Sequence, residues 1–192
     1  MKVAAIVLAA GGSTRLGQPK QLLDFRGQSL VRRMAEAVVG AGCEPVAVVV
    51  GQDREAIAAA LRGLTVQLVP NDNWKDGIGS SIRVGVKALA ACEALVIAAC
   101  DQPYVDAELI RLIIRTQEET QQLIVASAYA GTCGVPALFL RHYRANLLAL
   151  PNEHGAKAII ARHSAEVATV DFPQGAIDID TLADYRALQV SP

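Results

Sequence analysis

The chain lacks any concentration of charge of one sign. Its 18 Lys and Arg stand against 19 Asp and Glu, for a formal net charge of −1. No basic run interleaved with aromatics tracks a nucleic acid backbone, which excludes nucleic acid as the expected partner. Cysteine is sparse: Cys43, Cys92, Cys100 and Cys133 lie far apart with no C-x-x-C pair. Neither a zinc cage nor a thiol redox motif follows, and free thiols are the default in a cytosolic chain. No apolar run approaches the roughly 20 residues that span a bilayer, so no membrane segment is expected. Met1, Lys2 and the apolar residues behind them have the outline of a signal peptide. Only about eight apolar residues precede Gly11, however, and cleavage would remove or abut the glycine-rich loop, so the segment reads as a strand of a soluble, cytoplasmic protein. No Ser-His-Asp or Cys-His arrangement is suggested. Internal repeats, low-complexity tracts and domain-dividing linkers are absent too.

What is present is apolar residue: 52% of 192 positions, ample for the core of one domain. Runs of Val, Ile and Ala at 2 to 9, 45 to 50, 65 to 69 and 94 to 99 alternate with helical spacing at 28 to 40, 53 to 62, 79 to 91 and 106 to 120. Runs without polar alternation fit parallel strands covered on both faces by helices. Asp106 is the expected N-cap of the last of these helices, with Leu109, Ile110, Ile113 and Ile114 as its buried stripe. Further on, strands are expected at 123 to 128 and 136 to 140, joined by a turn through Gly131 and Gly134. Helices at 141 to 149 and 155 to 162, a strand at 165 to 170, an extended piece at 176 to 179 and a helix at 181 to 189 complete the reading. The fold class expected is α/β: a single-domain, Rossmann-like, three-layer α/β/α arrangement with a mostly parallel central sheet. In such sheets ligands bind beyond the carboxyl ends of the strands. The loops after Ala9, Gly51, Pro70 and Cys100 are therefore where function is sought.

The first of these loops carries the strongest signal. VAAIVLAAGGSTRLGQPKQLL, residues 3 to 23, runs from an apolar strand into three glycines, two adjacent hydroxyls, an arginine and a lysine, with no acidic residue before Asp24. Polyphosphate binding needs this mixture, because glycines let backbone N–H groups approach phosphate oxygens and fixed cations neutralise the charge. It is not a P-loop: Gln18 and Pro19 separate Gly17 from Lys20, and Gln21 follows the lysine. It is not a dinucleotide fingerprint, since Gly11, Gly12 and Gly17 are spaced otherwise and Pro19 falls where the helix would be under way.

The loop resembles the signature of nucleotidyltransferases of the molybdenum cofactor cytidylyltransferase type. The pattern L-A-A-G-x-S-x-R-[ML]-G-x-x-K is met by Leu8, Ala9, Ala10, Gly11, Ser13, Arg15, Leu16, Gly17 and Lys20. The resemblance covers nearly the whole chain and implies the nucleotide-diphospho-sugar transferase type of fold. Residues 1–104 would be its NTP-binding half and residues 105–192 its acceptor-binding half. It also implies a nucleotide-binding set of Leu8, Ala10, Gly11, Gly12, Ser13, Arg15, Lys20, Gly79, Ser80 and Ser81. The fork-shaped Arg15 suits the leaving pyrophosphate, and Lys20, a point charge on a flexible stem, suits the α-phosphate. Asp101 ends the fourth strand and matches a D-x-P aspartate that coordinates metal, so Arg15, Lys20 and Asp101 are the expected catalytic residues. The expected cofactor is Mg²⁺, with Asp180, favoured over Asp178, as second ligand.

Two readings stand for Ser80 and Ser81, base or ribose contacts and helix caps; Trp74 is either a stacking platform or a lid over apolar surface. On the acceptor side Gly134 and Lys157 match positions of the resembling family, but Val135 replaces the histidine of G-H-P-x-L-[FV]. Lys157 is as readily a solvated helix residue. The expected partners are an NTP, CTP by the Ala10 form of the loop, and a phosphorylated acceptor, molybdopterin. Guanylyl transfer, a methylerythritol phosphate or sugar phosphate acceptor, and a non-catalytic cofactor chaperone are the alternatives. Transient contact with a molybdoenzyme or its chaperone is a further expectation.

Overall fold

The computed structural model describes residues 1–13 and 16–190. Arg15, the expected pyrophosphate ligand, lies outside the described residues.

β1 (Val3–Ala9) is buried at every position. Its alternate residues serve two cores, Ala5, Val7 and Ala9 on one face and Ala4, Ile6 and Leu8 on the other. A strand apolar on both faces needs cover on both. After it come the short strands β2 (Asp24–Phe25) and β3 (Gln28–Ser29), then α1 (Leu30–Gly40), β4 (Val46–Val50), α2 (Arg54–Ala60) and β5 (Gln67–Pro70). The chain continues through α3 (Ile78–Ala88), β6 (Ala94–Ala99), α4 (Ala107–Thr120), β7 (Ile124–Tyr129) and β8 (Thr132–Leu140). It ends with α5 (Arg144–Leu148), α6 (Ala156–Arg162), β9 (Val167–Asp171) and α7 (Leu182–Val190).

Seven strands form one sheet in the order β5-β4-β1-β6-β8-β7-β9. β8 is antiparallel to β6 and β7, while the other neighbouring pairs run parallel. Residues of α1, α2 and α4 fill one core and residues of α3, α5 and α6 the other. The expected three-layer α/β/α sandwich with a mostly parallel sheet is therefore the fold. The carboxyl ends of β1, β4, β5 and β6 share one edge, and the Gly-rich loop, the segment before α3 and Asp101 all open there.

Asp106 caps α4 as its sequence implies, Oδ1 accepting from Leu109 N at 2.9 Å. Three segments differ from expectation. The helix expected from 28 starts at Leu30, because Arg26 and Gly27, with φ of 54° and 83°, turn the hairpin β2–β3. The turn expected through Gly131 and Gly134 closes at Ala130 and Gly131, the two residues with positive φ. Gly134 instead pairs with Ser127 inside β8, beside a register shift that leaves Val135 and Pro136 of β8 out of the pairing. Finally, the extended piece expected at 176 to 179 begins one residue later: Ala176 closes a 3-10 turn, Pro173–Ala176, and Ile177 is extended, outside the sheet. There Ile179, fully buried, donates its N–H to the Asp101 carbonyl at 3.2 Å. Its side chain packs in one cluster with Leu16, Leu23, Phe25, Leu30 and Leu188, so this piece meets the end of β6 through a single backbone bond and apolar burial beside it rather than through sheet pairing. α7 then closes over the hairpin, Tyr185 Oη and Gln189 Nε2 both donating to the Asp24 carbonyl at 2.9 Å.

Candidate active site

At the carboxyl edge a cleft of about 370 Å³ is lined by Leu8, Ala10, Gly11, Gly12 and Ser13 from the first loop. Lys20, Gln21, Trp74, Ile78, Ser81 and Asp101 complete much of the wall. Ser13 has a positive φ of 46°, and its Oγ accepts from Lys20 N at 2.8 Å, so the loop's hydroxyl ties it to the turn that carries the lysine. Gln21, which the sequence reading passed over, is buried; its Nε2 donates to the carbonyls of Ala9 at 3.1 Å and Gly11 at 2.6 Å. Those two bonds turn the carbonyls inward. A buried amide next to the lysine carries no periodic signal, which is why spacing alone did not mark it.

The loop before α3 supplies the opposite wall. Trp74 packs so closely on the glycines that a Cβ on Gly12 would lie 2.4 Å from its Cζ3, and one on Gly51 2.7 Å from its Cγ. Lys75 lies 5.5 Å from the Trp74 ring centroid and also lines the cleft. Buried Asn71 donates from Nδ2 to Ser80 Oγ at 2.9 Å and Ser81 Oγ at 3.0 Å. Ser80 donates in turn to the carbonyls of Gly77 at 2.8 Å and Asn73 at 3.0 Å, so its hydroxyl is committed to backbone. Gly79 faces away as well: its N–H donates to Asn152 O at 2.8 Å, and a Cβ there would stand 2.0 Å from the Pro151 carbonyl. Of the three α3 positions expected to meet the nucleotide, Ser81 lines the cleft and Gly79 and Ser80 build the turn behind it.

At the end of β6 the carboxylates gather. Lys20 Nζ lies 2.6 Å from Asp101 Oδ2 and 3.2 Å from Asp180 Oδ1, with the lysine side chain 16% exposed. Burial alone would lower the Lys20 pKa, but the charge of Asp101 and its hydrogen bond outweigh it and hold the ammonium above the usual lysine range. Asp178 senses the same cluster: burial first, then the charges of Asp180 and Asp101, push its carboxyl up. Cys100 is buried and its thiol is raised, by burial and then by Asp101. It is a packing residue at the strand end, not a nucleophile.

No group of three metal-ligating side chains meets among the described residues. The test of fit is instead the donor chemistry of Asp101 and Asp180, two carboxylates already drawn to one cation. Hard oxygen donors suit Mg²⁺ or Mn²⁺, and sites for nucleotide-bound metal need only one or two carboxylates, the phosphates and water supplying the remainder. The residues fit.

The acceptor candidates stand elsewhere. Gly134 is buried behind Tyr129, whose Oη would lie 2.2 Å from a Cβ there. Lys157 lines a separate groove of about 270 Å³ with Thr132, Cys133 and Ser164. Neither lines the cleft that holds Lys20 and Asp101.

A Gly-rich loop, a lysine and paired carboxylates at the switch edge of a parallel sheet define a nucleotidyltransferase-type α/β protein. The chain belongs to the family of the MobA-like NTP transferase domain, which it matches over residues 5–167. It is 37% identical over 102 residues to a nicotine blue oxidoreductase of Paenarthrobacter nicotinovorans, covering 53% of this chain and 50% of that protein. It is 32% identical over 109 residues to a probable molybdenum cofactor guanylyltransferase of Natronomonas pharaonis, covering 56% and 54%. The chain thus spans about half the length of each of these relatives. Among solved structures, Rv0371c of Mycobacterium tuberculosis H37Rv superimposes with a TM-score of 0.82 at 29% identity, over 100% of this chain and 98% of that one. A complex of Rv0371c with manganese superimposes at 0.79, with 28% identity and full coverage of both chains. No helix among the described residues is long and apolar enough to cross a membrane.

Proposed function

We propose that this protein transfers a nucleoside monophosphate from an NTP to a phosphorylated small-molecule acceptor, with a divalent cation as cofactor and pyrophosphate as leaving group. The observation that carries the reading is Lys20, placed by the Gly-rich loop against Asp101 and Asp180. An oxygen of the acceptor phosphate forms a bond to the α-phosphorus while the bond to the β-phosphate oxygen breaks. The protein's work is to position the reactants, neutralise charge and exclude water. Backbone amides of Gly11 to Ser13 face the phosphates, with Arg15 on the pyrophosphate. The ammonium of Lys20 meets charge that builds on the transferred group. Asp101 and Asp180 would hold Mg²⁺, which supplies positive charge to the phosphate oxygens. Ser81 and Trp74 border the space for nucleoside.

The finer reading is cytidylyl transfer from CTP to molybdopterin in the cytoplasm, with hand-over to a molybdoenzyme or its chaperone. The Ala10 form of the loop supports cytosine. The name of the Natronomonas relative supports guanosine instead, and Val135 in place of histidine leaves the acceptor the least constrained part. The test is incubation with Mg²⁺ or Mn²⁺, each of the four NTPs and molybdopterin, methylerythritol phosphate or a sugar phosphate, with products identified by mass. A molybdopterin cytosine dinucleotide is expected, and Asp101→Asn is expected to lower its formation by at least about a hundredfold. Transfer to another acceptor only, or none with Asp101→Asn equal to native, would overturn the assignment. The name of the Paenarthrobacter relative, a nicotine blue oxidoreductase, adds a redox arm to the test, with nicotine blue offered as substrate.

A further inference from the structure

We propose that the Lys20 ammonium is a resident counter-ion for Asp101 and Asp180, so that a divalent cation enters this site together with its nucleotide and is held off when it arrives alone. The inference rests on the nucleotidyl-transfer reading of the cleft and deepens it.

The geometry is that of one cation shared by two anions. Nζ stands 2.6 Å from Asp101 Oδ2 and 3.2 Å from Asp180 Oδ1. Both carboxylates belong to segments fixed independently of the lysine: Asp101 lies two residues beyond the end of β6, and Asp180 follows Ile179, which is buried and bonded to the Asp101 carbonyl. The backbone of Lys20 is fixed too, its N–H donating to Ser13 Oγ and its carbonyl accepting from Leu23 N at 3.1 Å. Only the four-carbon stem is left to move.

That stem passes beside the phosphate loop. A Cβ on Gly11 would lie 3.9 Å from Lys20 Cε, so rotation about the last torsions carries the ammonium from the carboxylates toward the backbone amides where phosphates are expected. A triphosphate offers the ammonium new oxygen partners. The carboxylates are then released at the moment a metal-bearing nucleotide is present to use them. A free divalent cation brings no such replacement. It must approach a positive charge already lodged between its two oxygen donors, a charge that offsets roughly the attraction of one of the two carboxylates.

The test uses Mn²⁺ and protein alone, titrated by electron paramagnetic resonance of free Mn²⁺. Lys20→Met is expected to bind Mn²⁺ about tenfold or more tightly than native, and Lys20→Arg, which keeps the charge, to bind as weakly as native. The gain is expected to vanish in Lys20→Met/Asp180→Asn, which locates the extra ion between these carboxylates. Lys20→Gln repeats the measurement should thermal melting show that Lys20→Met is not folded. Folded neutral variants that bind Mn²⁺ no more tightly than native overturn the counter-ion role, whether or not native protein transfers nucleotides. A gain in metal affinity with no transfer by native protein supports the counter-ion role and overturns the functional reading alone.

Discussion

Gln102 Nε2 donates to the carbonyl of Val135 at 3.0 Å and to that of Gly175 at 3.3 Å. One side chain thereby joins the end of β6, where Asp101 sits, to β8 and to the turn that leads to Asp180. The amide is buried, 6% exposed, so both carbonyls depend on it. Gln102→Ala is expected to destabilise the protein by about 1–3 kcal/mol, the range for stranding buried polar groups. Urea denaturation with an unchanged slope would show it, and a loss below about 0.5 kcal/mol would mean that the bridge contributes nothing measurable.

Gln102 also marks where sequence reasoning reaches its end. The sheet was legible because β1, β4 and β6 are unbroken apolar runs, and the first core helices because their stripes repeat at helical spacing. Asp101 was legible because it directly follows an apolar run, and Lys20 because it completes the cation-bearing glycine-rich loop. Their meeting with Asp180 was legible only through the family resemblance and not from spacing, because that aspartate sits 79 positions beyond Asp101, on a segment brought to β6 by the Ile179 and Gln102 hydrogen bonds. Nor could spacing separate the adjacent serines of α3, whose roles depend on which carbonyls lie within reach. Gln21, Asn71 and Gln102 were invisible for the same reason. A buried amide is recognised by its partners, and partners from distant segments leave no periodicity.

Ser80 and Ser81 are expected to respond in opposite ways. The Ser80 hydroxyl bonds Asn71, Asn73 and Gly77, so Ser80→Ala is expected to lose about 1–2 kcal/mol of stability with nucleotide affinity little changed in the folded fraction. Ser81 lines the cleft and accepts one bond, from Asn71. Ser81→Ala is expected to weaken nucleotide binding several-fold while moving the denaturation midpoint little. Calorimetric titration beside urea denaturation separates the two, and identical responses would refute the division.

Asp184 gives the fold a pH dependence of defined sign. Its Oδ2 accepts from Thr181 N at 2.7 Å, Thr181 Oγ1 at 2.8 Å and Asp180 N at 3.2 Å. The Thr181 hydroxyl and amide bonds hold the carboxyl below its ordinary value of 3.8. A carboxylate depressed in the folded state contributes stability above its unfolded pKa and loses it as pH falls through the folded one. Asp184→Asn is therefore expected to lower the melting temperature at pH 7, with the gap to native closing below about pH 4. A gap that persists undiminished at pH 2 would show that the charge is not what matters.

Gly12 and Trp74 permit a compensation experiment. A Cβ on Gly12 would stand 2.4 Å from Cζ3 and 2.6 Å from Cη2 of Trp74, far inside van der Waals contact, so Gly12→Ala must displace the indole or the loop. Either movement disturbs the wall of the cleft. Because Trp74 is the chain's single tryptophan, a changed emission spectrum in ligand-free Gly12→Ala reports the displacement directly. Nucleotide affinity is expected to fall by about tenfold, the scale of an overpacked contact costing 1–3 kcal/mol. Replacing the indole by the smaller phenyl ring removes the atoms that clash, so Gly12→Ala/Trp74→Phe is expected to bind nucleotide more tightly than Gly12→Ala. If the double variant binds no better than Gly12→Ala, the glycine is needed for the approach of its backbone to phosphate, and the contact with Trp74 is incidental.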